Sequence, residues 1–306
     1  MSVQEKGQGV TRSGFVAIVG RPNVGKSTLL NHLVGQKVAI VSSRPQTTRN
    51  RVLGVLTKDG CQMVFLDTPG LHAPRNKLGD YMMRQADSAV RSVDLVVLVV
   101  EPTDKIETAE LSVLERCGCP VLLAINKIDT VKKEALLAVI AAYASAYDFA
   151  AVVPLSALRG EGVEELYDEL QSRLPDGPAF FPEDALTDQT ERQLVAEFIR
   201  EKALLFMRDE IPHGIAVVVE RFKERPGTDL IDIDVNIYCE RESHKGMVIG
   251  KGGAMLKKIA SAARADCEEF LGCRVNLQCW VKVKSDWRDN EFLLNNFGFK
   301  QNSSNR

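Results

Sequence analysis

The sequence predicts an α/β fold: a mostly parallel sheet with helices on both faces, followed by a smaller α+β domain. Three observations predict it. Short apolar runs alternate with helical patterns from Phe15 to Leu174, which implies parallel strands joined by crossover helices. The stretch Gly20-Arg21-Pro22-Asn23-Val24-Gly25-Lys26-Ser27 fits the spacing G-x-x-x-x-G-K-[ST] between a strand pattern and a helix pattern. A second glycine-rich turn, Val248-Ile249-Gly250-Lys251-Gly252-Gly253, opens another helix beyond a proline-rich stretch.

Strands are expected at about 15–19, 51–57, 61–66, 95–100, 121–125 and 151–155, and helices at about 26–34, 78–91, 105–116, 132–147 and 162–174. The first strand is the apolar run Phe15 to Val19, and Leu29, Leu30, Leu33 and Val34 repeat at helical spacing after it. In such sheets ligands bind at the carboxyl ends of the strands. Pro175 to Asp188 carries three prolines and a glycine with little periodicity, the composition of a linker. Thr190 to Arg208 then reads as an amphipathic helix. Strands follow at about 215–221 and 229–239, a helix at about 254–271 and a strand at about 274–284. The expected organisation is a tail over 1–13, a first domain over 14–175, a linker over 176–189 and a second domain over 190–306.

A chain of 306 residues exceeds the common single-domain size, consistent with two domains. Apolar residues at 45% and charged residues at 26% match ordinary globular averages and argue against a disordered or fibrous chain. The longest apolar run, Leu95 to Val100, is far short of the roughly twenty residues that span a bilayer. Met1 to Arg12 lacks the apolar core of a signal peptide, so a cytoplasmic protein is expected. Seven cysteines fit neither zinc spacing nor a small disulfide framework, and the four histidines are scattered, which predicts reduced thiols and no metal cluster.

Phosphate oxygens must sit almost against the backbone, so that successive N–H groups and a helix N-terminus point at them. Gly20 and Gly25 leave room for that approach, Arg21, Pro22, Asn23 and Val24 form the loop, and Lys26 reaches the terminal phosphates. The Ser27 hydroxyl is placed for magnesium, with Thr28 behind it at the helix start. In the polar loop Gln46-Thr47-Thr48-Arg49-Asn50, a threonine can complete the magnesium shell and touch the terminal phosphate. Thr48 is the first choice, with Thr47 close behind. Asp67-Thr68-Pro69-Gly70 follows an apolar strand, where a carboxylate facing the loop partners magnesium.

Asn126-Lys127-Ile128-Asp129 follows Val121 to Ile125 and decides the base. A carboxylate at Asp129 accepts from two adjacent donors, which guanine presents and adenine does not. Adenine would set a lone pair against it, a mismatch that costs more than a missing contact. Lys127 can lay its stem along the base. Ser156-Ala157-Leu158 follows the last strand, where a backbone N–H can meet guanine O6.

These five motifs in this order resemble the translation-factor-related class of P-loop GTPases across the first half of the chain. The resemblance implies that Lys26, Ser27, Thr48 and Asp67 handle phosphate and Mg2+, while Asn126, Asp129 and Ala157 read the guanine of GTP or GDP. Where Ras-like enzymes carry a glutamine to orient the attacking water, this chain has Leu71. What remains is positioning and charge from Lys26, magnesium and backbone amides such as that of Gly70. Relatives with asparagine at the place of Asn23 use it to hold K+ in place of an arginine finger, which implies slow, potassium-stimulated hydrolysis. His72 is the other candidate for holding the water.

The second glycine-rich turn lacks the spacing and the terminal hydroxyl of the first. It resembles the G-x-x-G loop of a KH domain, with Gly250 and Gly253 as the fixed glycines, and the helix-strand-strand-helix-helix-strand order is that of the type II form. Residues 241–285 carry nine Lys or Arg against four acids, a local footprint for phosphates. The expected RNA-binding set is Lys245, Ile249, Gly250, Lys251, Gly252, Gly253, Lys257 and Lys258. Trp280 and Trp287 invite a stacking role, with core or rim packing the favoured use.

A GTPase domain joined to a type II KH domain, with QTTR, DTPG, NKID and VIGKGG as they stand here, is similar to the Era family of bacterial GTPases. The resemblance implies binding near the 3′ end of 16S ribosomal RNA and a checkpoint role in assembly of the 30S subunit. A monomer is expected, and a peripheral contact on the inner face of the cell membrane stands beside the cytoplasmic expectation. The competing reading is a membrane-associated signalling GTPase whose second domain binds protein. A non-hydrolysing RNA-binding scaffold is disfavoured by the magnesium residues.

Overall fold

The computed structural model describes residues 10–299, apart from 45, 72, 73, 75, 104 and 208–210. The chain forms two compact units. One comprises Met1–Val38, Thr48–His72 and Arg84–Asp188, and the other Ala39–Thr47, Ala73–Met83 and Gln189–Arg306. Segments 39–47 and 73–83, expected in the first domain from their place in the chain, therefore pack with the second.

The first unit is built on six strands: β1 (Arg12–Val19), β2 (Val52–Lys58), β3 (Cys61–Asp67), β4 (Leu95–Val100), β5 (Val121–Ile125) and β6 (Ala151–Pro154). Their order is β2-β3-β1-β4-β5-β6. Among the described residues only β2 runs antiparallel to its neighbour. The reason is local: Asp59 and Gly60 both take positive φ, 50° and 70°, in a two-residue turn of the kind that joins antiparallel strands. The inner strands β4 and β5 are covered on both faces, so they are apolar throughout and fully buried. The crossover helices are α1 (Lys26–Val34), α3 (Thr108–Leu114), α4 (Lys133–Ala146) and α5 (Val163–Arg173), together with residues 84–91 of α2 (Lys77–Arg91), whose first turns belong to the second unit. α3 is shorter than its pattern suggests because Glu107 and Glu110 close a capping box at its start.

The stretch expected as a linker is fastened to this unit. The fully buried Gln62 side chain accepts from the N–H groups of Phe180 (2.7 Å) and Phe181 (2.9 Å) and donates to the Phe181 carbonyl (2.9 Å). Ser13 Oγ donates to Pro178 O, and Val55 N on the edge strand β2 donates to Leu186 O.

The second unit holds α6 (Glu191–Phe206), β7 (Ala216–Glu224), β8 (Leu230–Cys239), α7 (Glu242–Ile249), α8 (Ala254–Leu271), β9 (Arg274–Val283) and a short α9 (Glu291–Asn296). β8 is central, antiparallel to β7 and parallel to β9. Its pattern alternates: Ile231, Ile233, Val235, Ile237 and Cys239 join a core with Phe198 and Ile199 of α6 and Ile259 and Ala263 of α8. A second cluster gathers Tyr81, Met82, Ala216, Leu294, Phe299 and the fully buried Trp287, whose Nε1 donates to Gly214 O. Trp280 is 46% exposed. No helix among the described residues is long and apolar enough to cross a membrane.

Candidate functional site

The loop between β1 and α1 lies at the point where the sheet order reverses, with β3 on one side of β1 and β4 on the other. Gly25 takes a left-handed φ of 100°, and a Cβ there would stand 2.2 Å from Asn126 Nδ2, so any other residue would push the base-side loop away. Lys26 is buried, its Nζ donating across the loop to Gly20 O (3.0 Å) and Arg21 O (2.8 Å). Burial pulls its ammonium down to about 8, with Asp67 acting against that shift. Arg21 reaches Glu107 at 3.5 Å, Val24 is buried, Asn23 is exposed with φ 67°, and Thr28 sits half-buried on α1.

Three elements converge on one carboxylate. Ser27 Oγ donates to Asp67 Oδ2 at 2.6 Å, Thr48 Oγ1 donates to the same oxygen at 3.2 Å, and the two hydroxyls are 3.0 Å apart. Asp67 is fully buried, and burial raises its carboxyl above the usual range against the pull of Lys26, Ser27 and Thr48. Its Oδ1 has no hydrogen-bond partner among the described residues. A buried carboxylate oxygen left over beside two hydroxyls is a hard oxygen donor set that fits magnesium. Between the two threonine candidates, the structure brings Thr48 to this cluster; the Thr47 hydroxyl donates to Arg44 O instead.

Gly70 stands against the loop, where a Cβ would be 2.7 Å from Pro22 N. Leu71 is buried and its N–H donates to Gly20 O at 3.1 Å, so it offers nothing to a water. His72 lies outside the described residues.

At the ends of β5 and β6, Asn126 ties two loops together. Its Nδ2 donates to Val24 O (2.7 Å), and its Oδ1 accepts from the Ala157 N–H (2.9 Å). The Ala157 amide, expected to meet guanine O6, is thus engaged in orienting Asn126. Lys127 takes φ 64°, and its Nζ donates to Asn23 O at 2.7 Å and to Glu101. Asp129 accepts from Ser156 Oγ at 2.7 Å. That hydrogen bond, helped by the charges of Arg159 and Lys127, holds its carboxyl below the usual range and keeps it an acceptor. Sequence reasoning passed over Glu101 and Arg159. Glu101 directly follows β4, and the strand-end rule would have found it.

In the second unit, Gly250, Gly252 and Gly253 all have positive φ (72°, 59° and 81°) in the turn between α7 and α8. A Cβ on Gly250 would lie 2.7 Å from Met255 Cβ, whereas one on Gly252 or Gly253 would meet nothing within 4 Å. The turn is anchored by the buried Val248 and opens the 18-residue helix α8, whose N-terminus favours negative charge. Lys251 and Lys257 are exposed and Ile249 is half-buried. Lys258 Nζ lies 4.3 Å over the Phe206 ring, and Lys245 is 3.9 Å from Glu242.

Residues 15–127 match the family described as 50S ribosome-binding GTPase, and residues 210–288 match the KH domain. The GTPase Era of Ruminiclostridium cellulolyticum is 48% identical over 296 residues, 96% of this chain and 99% of that protein. The GTPase Era of Caldanaerobacter subterraneus subsp. tengcongensis is 50% identical over 291 residues, 94% of this chain and 98% of that protein. A single-residue variant of Aquifex aeolicus Era bound to GDP.AlF4- superposes with a TM-score of 0.91 at 38% identity, over 95% of this chain and 100% of that one. Era in complex with MgGDPNP and nucleotides 1506–1542 of 16S ribosomal RNA matches with the same TM-score, identity and coverage.

Proposed function

The chain belongs to the Era family of GTPases, and from that membership we propose that it is a GTP-hydrolysing switch whose KH domain grips the 3′ end of small-subunit ribosomal RNA during assembly of that subunit. The observation that carries the switch is the meeting of Thr48 with Ser27 at Asp67. A loop residue held there is ordered by the terminal phosphate and released when it leaves.

Asp129, kept ionised, accepts from N1–H and the 2-amino group of guanine, and Asn126 fixes the distance between the base and the phosphate loop. Lys26, Thr48 and Gly70 surround the terminal phosphate. Ser27, Thr48 and Asp67 would hold Mg2+, which neutralises charge developing on the phosphates. With Leu71 buried, the chain's own contribution to hydrolysis is positioning and fixed charge. Asn23 supports a K+ ion taking the part of an arginine finger.

The glycine turn clamps a single-stranded backbone against Lys251 and Lys257, with a base resting by Ile249. The test is the affinity of a single-stranded oligoribonucleotide with the small-subunit 3′ sequence, measured with GDP, with a non-hydrolysable GTP analogue and without nucleotide. RNA should bind tightest with the analogue, and should tighten the analogue by the same factor. Identical affinity in all three states would remove the switch.

A further inference from the structure

Thr48 meets Ser27 at Asp67, and the described residues of 39–47, just before it, pack with α6. Ile40 is part of the second unit's core. Val41 N donates to Glu201 Oε1 at 2.8 Å, Arg44 Nε donates to Leu204 O at 2.7 Å, and Arg44 Nη2 donates to Met207 O. At the end of this run the guanidinium of Arg200 donates to the carbonyl oxygen of Thr47.

That carbonyl and the amide nitrogen of Thr48 lie in one rigid peptide plane. Gripping the oxygen therefore limits where Thr48 can stand. Arg200 is itself buried and paired: its side chain is 3% exposed, and Nε and Nη2 both donate to the carboxylate of Glu197, one turn away on α6. Its Nη1 is buried without a hydrogen-bond partner among the described residues. A charged, buried, clamped donor on one loop carbonyl is an expensive arrangement for mere packing. Next on α6, Lys202 bridges Asp266 of α8 at 2.6 Å, and α8 is the helix that the RNA-binding turn opens.

We propose that Arg200 is a positioning residue for GTP hydrolysis: from the KH-side helix α6 it sets the peptide plane that delivers Thr48 to the terminal phosphate and magnesium. The inference rests on the switch reading above and adds to it a residue outside the recognised motifs.

The test uses the full chain with Arg200→Ala and Arg200→Lys. Only the triphosphate state needs Thr48, so Arg200→Ala should keep the affinity for GDP. It should lose about tenfold in affinity for a non-hydrolysable GTP analogue with magnesium, and about tenfold in turnover. The lysine variant, with a charge and a donor, should recover part of both. The RNA-affinity ratio between analogue and GDP should fall towards one in Arg200→Ala. Wild-type turnover and wild-type discrimination between analogue and GDP would overturn the proposal. An equal loss of GDP and analogue affinity would also overturn it, since that is what general damage produces. If the alanine variant does not fold, Arg200→Lys and Glu197→Gln carry the same readouts. A wild type whose RNA affinity ignores nucleotide sinks the switch reading alone, because the turnover of the variants still decides the role of Arg200.

Discussion

Asn126 and Val24, 102 residues apart in the chain, are joined by a 2.7 Å hydrogen bond from side-chain amide to backbone carbonyl. The same side chain accepts from Ala157, so one buried amide holds the phosphate loop and the base loop in register. Asn126→Ala leaves a buried carbonyl and a buried N–H unpaired, at about 2 to 3 kcal/mol. Affinity for GDP and for GTP should fall together, roughly 30- to 150-fold, in a titration with a fluorescent nucleotide. A loss confined to GTP would mean that Asn126 serves the terminal phosphate instead.

Asp129 is held ionised by Ser156, and its replacement tests base choice. Asp129→Asn puts a donor where guanine presents donors, so affinity for GTP should drop by about a hundredfold or more. Xanthosine triphosphate, which offers a carbonyl at the 2-position, should gain over GTP. Competition binding with the two nucleotides reads this directly, and an unchanged guanine preference contradicts the assignment.

The ammonium of Lys26 falls to about 8 through burial, and phosphates bound beside it favour the charged form. Below that value the free protein already carries the proton, and nucleotide affinity should be flat. Above it the proton must be taken up on binding, so affinity should fall by up to about tenfold per pH unit. On the acid side, Asp67 has a raised carboxyl and must be ionised for magnesium, which predicts a decline in magnesium-dependent affinity. Lys26→Met should bind weakly and lose the alkaline decline. Calorimetric titration from about pH 7 to about pH 9 checks the sign.

Gly252 is where a charge can enter the RNA turn at small structural cost. Its φ is 59° and nothing stands within 4 Å of a Cβ, and aspartate tolerates that backbone better than most residues. Gly252→Asp should abolish binding to single-stranded RNA while GTP turnover stays within about twofold of wild type. Gly250→Ala is the contrasting case: its Cβ meets Met255 at 2.7 Å, so it should lower the melting temperature of the second unit. RNA binding that survives Gly252→Asp would favour a protein partner for this domain.

If Asn23 helps to hold potassium, turnover in potassium buffer should exceed that in sodium by on the order of tenfold. Asn23→Ala should abolish the difference without weakening GDP binding. Equal turnover of the wild type in both salts would discard the idea.

Much of the first unit was legible because its inner strands are covered on both faces. Val96 to Val100 and Val121 to Ile125 can be little else than buried parallel strands, and the motifs at 20–27, 67–70, 126–129 and 156–158 stand where strands of this sheet end, whereas 46–50 precedes β2. The KH turn was legible from its glycines, whose positive φ values leave few alternatives. Tertiary partnership was not legible. Nothing in the spacing of Arg200 distinguishes it from the other charges along α6, since its partner Thr47 is 153 residues away. The engagement of Ala157 by Asn126 was hidden for the same reason, because a backbone amide leaves no mark in a sequence. The C-terminal helix α9 was missed because six residues give too short a period to detect.

The fastening of residues 176–188 by Gln62, Ser13 and Val55 also bears on self-association. β2 ends the row of six strands, and a bare outer strand offers its unpaired N–H and C=O groups as a template for another chain. Here Val55 N is already taken by Leu186 O, and the strap that takes it holds Pro178 and Pro182, which have no N–H of their own to offer. The segment therefore occupies one N–H of the outer strand while bringing prolines of its own to that border, and loosening it would return that N–H to whatever chain comes alongside.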